Sequence, residues 1–160
     1  MKIPNLTTYQ KVIEIIALLL LLACIVATLV CYPSLPEQVP SHYDINGNID
    51  KWSGRGNVFT VLAIDAAMYL LLVGMLFFPK ALKPNTLRPL DMRYQAQIQH
   101  ETISMMAECT LFCVLLFGYI QLFSLMQKPM ITWPMWVIVA FMLVSCTIRT
   151  KRLSKYTLSK

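Results

Sequence analysis

Four long apolar runs leave this chain almost no way to fold in water. They are Val12 to Tyr32, Val58 to Phe78, Ile103 to Met126 and Ile131 to Ile148. A bilayer core about 30 Å thick takes about 20 helical residues to cross. Inside lipid a segment must satisfy its own backbone hydrogen bonds, which a helix does and an open strand does not. The expected fold class is therefore all-α and integral to the membrane, a four-transmembrane-helix bundle forming a single membrane domain over residues 1–160. Composition agrees, with 57% hydrophobic and 14% charged residues and a mean hydropathy of +0.58.

Punctuation sets the expected boundaries. Helix 1 spans 12–32, an external loop 33–57, helix 2 58–78, a cytoplasmic linker 79–90, helix 3 91–126, helix 4 131–148, and a basic cytoplasmic tail 149–160. Pro79, Pro84 and Pro89 break the linker, and Pro134 suits the first turn of helix 4, where Trp133 and Trp136 read as interfacial anchors. The first run is longer than the roughly 7–15 apolar residues of a signal peptide and has no A-x-A exit, so it is expected to be a retained anchor.

The loop is the one polar island, LPEQVPSHYDINGNIDKWSG from Leu35 to Gly54. Asn46-Gly47 is the dipeptide of a two-residue hairpin turn. With those two at its centre, Asp44 would face Ile49, Tyr43 would face Asp50 and His42 would face Lys51.

The string Pro36-x-x-Val39-Pro40-x-His42-Tyr43-Asp44-x-x-Gly47-x-x-Asp50-x-Trp52 resembles the signature of a bacterial membrane family, a domain of unknown function found at the N-terminus of SdpI-type toxin immunity proteins. The resemblance covers the first helical pair and the loop between them. It implies that the loop, through Pro36, Pro40, His42, Tyr43, Asp44, Gly47, Asp50 and Trp52, engages a secreted peptide toxin or another envelope partner.

Charge gives an orientation. Of the 14 Lys and Arg residues, 11 fall in the N-terminal arm, the stretch between the second and third apolar runs, and the tail, and 3 in the loop and the turn after helix 3. The positive-inside rule then places both termini in the cytoplasm and the loop outside, in a bacterial inner membrane. The formal charge of +6 is scattered in flanks with no aromatic-interleaved patch, which argues against nucleic acid.

Three acids interrupt the apolar runs: Glu14, Asp65 and Glu108. A carboxylate at membrane depth costs a few kcal/mol on insertion scales of about 2.5–3.5 kcal/mol, so each is expected to face a partner inside the bundle or to carry function. Glu14, near the inner end of helix 1, is expected to snorkel or to pair with a basic linker residue. On helix 3, Arg93, Gln97, Glu101, Ser104 and Glu108 recur on one narrow stripe. The stripe reads as an interhelical seam, with Glu108 bonded to hydroxyls such as Tyr69, or as an entry path for cations.

Cys24, Cys31, Cys109, Cys113 and Cys146 all lie in apolar runs without metal spacing and read as small buried side chains. No cofactor is implied. His42, Asp44 and Asp50 are weak metal candidates, because three ligands within nine residues of a hairpin do not all point one way. No nucleophile elbow, H-E-x-x-H helix or phosphate loop is present, so a non-enzymatic membrane protein is expected. The alternative function is a proton- or cation-coupled transporter using Asp65 and Glu108, and four helices would then need a homo-oligomer to enclose a path.

Overall fold

A computed structural model describes residues 6–76 and 91–156. Its elements in chain order are α1 (Thr8–Cys31), β1 (Gln38–Tyr43), β2 (Ile49–Gly54), α2 (Asn57–Met75), α3 (Gln95–Met126) and α4 (Thr132–Ser154). All four helices are long and apolar enough to cross a membrane. The fold class is not purely α, because the loop folds into a two-stranded antiparallel sheet. The expected linker 79–90 lies outside the described residues, as do 77 and 78 at the end of the expected second helix.

Local chemistry moves the helix ends. Thr7 and Gln10 form a capping box in which each side chain accepts from the other's backbone N–H, so α1 starts before its apolar run does. A 3-10 turn, Met92–Tyr94, precedes α3. Gln127, at φ 55°, reverses the chain after α3. The fourth helix does not stop at Ile148. It continues to Ser154 through the basic segment expected as tail, with Lys151 and Arg152 in its last turn, where cations complement the helix dipole.

The third helix is the axis of the bundle: α1, α2, α4 and β1 all pack against it. Three small clusters line it. Leu76, Ile103 and Met106 sit at one end, Ala17, Leu21 and Val114 in the middle, and Leu35, Val39 and Val58 at the hairpin end. None of the three contains a residue of α4, which packs along α3 and presents Trp133, Trp136 and Phe141 outward.

Polar side chains close the hairpin end. Gln121 donates from Nε2 to Thr28 Oγ1 (2.9 Å) and Val58 O (3.1 Å), joining α3 to α1 and α2 at a fully buried point. In an apolar bundle, where packing side chains gains little over lipid, such bonds fix which helices adjoin.

Candidate functional site

The hairpin turn is offset from the expected one. The Gly47 N–H donates to Asp44 O at 2.9 Å, so Ile45 and Asn46 are the central pair and Gly47 follows them at φ 85°. A longer loop closed by a left-handed glycine replaces the two-residue Asn-Gly turn. The cause is the Asp44 carboxylate. Its Oδ1 accepts from the Asn46 N–H (2.9 Å) and the Asn48 N–H (2.8 Å), and its Oδ2 from the Asn48 amide (3.1 Å), wrapping the loop around one side chain.

The Asn48 side chain first, and then its backbone N–H, hold the Asp44 carboxyl below its usual range. A carboxylate with a depressed folded value stabilises the turn above the unfolded value, and that stability is lost as pH falls through the depressed one. The Asn46 and Asn48 amides are therefore expected to exchange faster below about pH 4. Asp44→Ala should show the fast exchange at every pH, as read by amide hydrogen exchange.

The strand register differs accordingly. His42 faces Lys51 as expected, but Tyr43 faces Ile49 instead of Asp50, and the expected Asp44–Ile49 pairing does not form. Register shifts between Pro40 and His42 and between His42 and Tyr43 make Ser41 and Asp50 extra residues in their strands. The second shift brings His42 Nδ1 to 2.6 Å from Asp50 Oδ1, with both side chains exposed. Ile45 (71%) and Trp52 (48%) are exposed beside them. Tyr43 turns inward instead, and burial pushes its phenol up to about 12. Asp44, committed to its own turn, does not join His42 and Asp50. Among the described residues no group of three or more His, Cys, Asp or Glu side chains is placed to hold a metal.

The hairpin is fastened to the bundle at three places. The Met130 N–H donates to Gly47 O (2.8 Å), tying the tip to the connection between α3 and α4. Ser124 Oγ donates to Pro40 O (2.9 Å), and Val39 is fully buried against Leu35 and Val58. Pro36 stays exposed at the entrance to β1.

A second polar centre lies at the opposite end, within the helices. Arg149 of α4 donates from Nη1 to Glu101 Oε2 (2.8 Å) and from Nε to Glu108 Oε1 (3.1 Å), and its Nη2 also contacts Glu108. Ser145 and Tyr9 donate to the remaining lone pairs of Glu108, the latter at 2.7 Å. Glu108 thus sits in a seam, but its hydroxyl partners are Tyr9 and Ser145 and not Tyr69. The helix 3 stripe divides: Glu101, Ser104 and Glu108 are buried, Gln97 is exposed, and Arg93 turns away to Asp91 (2.8 Å). Ser104 accepts from Gln10 Nε2 (2.9 Å).

Arg149 lies in the expected tail, yet chain lengths already place it level with Glu108. Glu108 precedes Gln127 by as many residues as Arg149 follows Met130, so a tight antiparallel pair brings them level. Cys109 and Cys146, at 3.6 Å, are another pair across the same two helices.

Glu14 and Asp65 are in a different situation. Glu14 does not snorkel, since both its oxygens are enclosed, and they have no hydrogen-bond partner among the described residues. The basic linker residues 80–88 lie outside those. Asp65 is 2% exposed, and its Oδ1 is likewise unpartnered among the described residues. It lies near the Cys24 and Cys113 thiols, as Glu14 lies near Tyr69.

The comparison with known families falls on the hairpin. Residues 19–64 match the domain of unknown function DUF1648. The matched segment runs from within α1 through both strands to Ile64 and Val58's helix α2, and it contains His42, Asp44, Gly47 and Asp50 but neither Glu108 nor Arg149. No curated protein and no solved structure matches the chain. The four apolar helices among the described residues, with the match over residues 19–64, point to a membrane protein.

Proposed function

We propose that this chain is a non-catalytic binding protein of a bacterial cytoplasmic membrane, with both termini inside, whose external hairpin recognises a secreted peptide toxin or an envelope partner, as in the SdpI-type immunity proteins it resembles. One observation carries the reading. The hairpin is clamped at its tip by Met130 and at its root by Ser124, yet its outer face leaves the His42–Asp50 pair, Ile45 and Trp52 exposed. A preorganised surface of mixed apolar and charged character loses little entropy on binding. The excess of Lys and Arg at the other end supports the orientation.

The test is survival of toxin-sensitive bacteria that express the chain, challenged with peptides secreted by neighbouring strains. His42→Ala and Asp50→Ala, at equal membrane levels, are each expected to weaken peptide binding about tenfold, the scale of an interface residue that costs about 1–2 kcal/mol. Full protection by both variants would remove the hairpin as the recognition surface.

A second reading, proton- or cation-coupled transport through Asp65 and Glu108, is favoured by the unpartnered Asp65 Oδ1. Glu108 counts against it as a carrier, because Arg149, Ser145 and Tyr9 already occupy its oxygens. Reconstituted vesicles decide: flux that survives Asp65→Asn unchanged rules this reading out.

A further inference from the structure

The first and fourth helices both pack on α3 and approach each other where the Arg149 guanidinium lies over the Tyr9 ring, 5.9 Å from its centre. Between them a furrow runs along α3, and at its basic end it deepens into a cavity of about 450 Å³. Its sides are apolar: Ile13 of α1, Leu111 and Phe112 of α3, and Phe141 and Val144 of α4. Its end is polar, formed by Tyr9, Glu108, Ser145, Arg149 and Arg152, with the Glu108 carboxylate already held by Tyr9, Ser145 and Arg149.

Charge at this end is unequal. Arg149 is engaged by Glu101 and Glu108, whereas Arg152 has a half-exposed side chain 3.7 Å from Glu101, too far for a hydrogen bond. Lys151 and Lys155 are exposed beside it. Arg149, Lys151, Arg152 and Lys155 thus face the Glu101 and Glu108 carboxylates, while Asp91, bonded through its N–H to Tyr156 O, is paired with Arg93.

The lining selects the occupant. An open furrow of this volume, with apolar sides and a polar end, suits one alkyl chain whose charged head lies at the polar end and whose remainder lies in the bilayer. A water-soluble anion would find mostly hydrocarbon walls. We propose that the cavity between α1, α3 and α4 holds one anionic phospholipid, its phosphate at Arg152 and one acyl chain along Phe112, Phe141 and Val144.

An acyl chain leaves one apolar medium for another, so the chain itself gives little preference. Discrimination must come from the head group. One arginine near an anionic headgroup corresponds to about a fivefold preference.

The test uses the full chain in vesicles, with Trp52, Trp133 and Trp136 changed to Phe and Phe141→Trp as reporter. Tryptophan quenching is compared for brominated phosphatidylglycerol and brominated phosphatidylcholine. The expected result is about fivefold stronger apparent binding of phosphatidylglycerol, retained in Arg152→Lys and lost in Arg152→Gln. Equal quenching by both lipids, a preference that survives Arg152→Gln, or shielding of the reporter from both lipids by a second copy of the chain would each overturn the assignment. Because Arg152 is half-exposed and distant in sequence from the hairpin, none of these outcomes depends on what the hairpin binds.

Discussion

Arg149→Gln is expected to lower the stability of the detergent-solubilised protein by about 3–5 kcal/mol, because it leaves Glu101 and Glu108 buried without their shared cation. The arginine side chain is 11% exposed and the two carboxylates 12% and 10%, so water replaces little of what is lost. Equilibrium unfolding in mixed micelles reads the loss directly. Arg149→Gln combined with Glu108→Gln should recover part of it, since contacting residues couple by about 0.5–3 kcal/mol. Equal stability of Arg149→Gln and the parent chain would mean that the seam between α3 and α4 is held by packing alone.

The second large effect is at the hairpin tip. Gly47→Ala places a Cβ 1.9 Å from the Met130 carbonyl oxygen, in a backbone conformation of φ 85°. A backbone atom cannot rotate aside as a side chain can. The left-handed conformation costs an L-residue about 1–2 kcal/mol, and displacing the tip also breaks the bond from the Met130 N–H, worth about 0.5–1.5 kcal/mol. The expected outcome is a tip that lifts from the α3–α4 connection while the helices stay folded, because no core cluster contains Gly47 or Met130. Hydrogen exchange at Met130 and proteolysis between Asp44 and Asp50 should both rise. Gly56→Ala is the control: its φ is −63° and an added Cβ meets nothing within 4 Å. Loss of hairpin-dependent protection in Gly47→Ala but not in Gly56→Ala would link recognition to the fixed tip.

The two effects lie at opposite ends of one helix pair. The hairpin tip bonds to Met130 where the chain enters α4, and Arg149 holds the far end of α4 to α3. Along the same seam Tyr119 donates to Ile131 O (2.7 Å), Cys109 meets Cys146, and Ser145 bonds Glu108. These polar contacts recur along the seam between α3 and α4, to which α4 also contributes the buried Leu153.

The amino-acid sequence by itself determined the four helices. In a bilayer every backbone polar group must be satisfied locally, so apolar length alone dictates helix, and Val12–Tyr32 or Ile131–Ile148 admits no other structure. It also located the polar loop between the first two helices, where Pro36, Pro40 and Gly47 punctuate the chain. Tertiary structure decided the rest. The turn register depended on three hydrogen bonds to one Asp44 carboxylate, and these compete with the local preference of Asn46-Gly47. That Gly47 is required for contact with Met130, and not only for its own turn, is a relation between residues far apart in sequence. The end of α4 was hidden because hydropathy falls where the basic residues begin, although a buried acid on the neighbouring helix lets Arg149 stay helical inside the bundle. Hydropathy records what each residue prefers in isolation, whereas the partner of a buried charge is set by which helices adjoin and at what level.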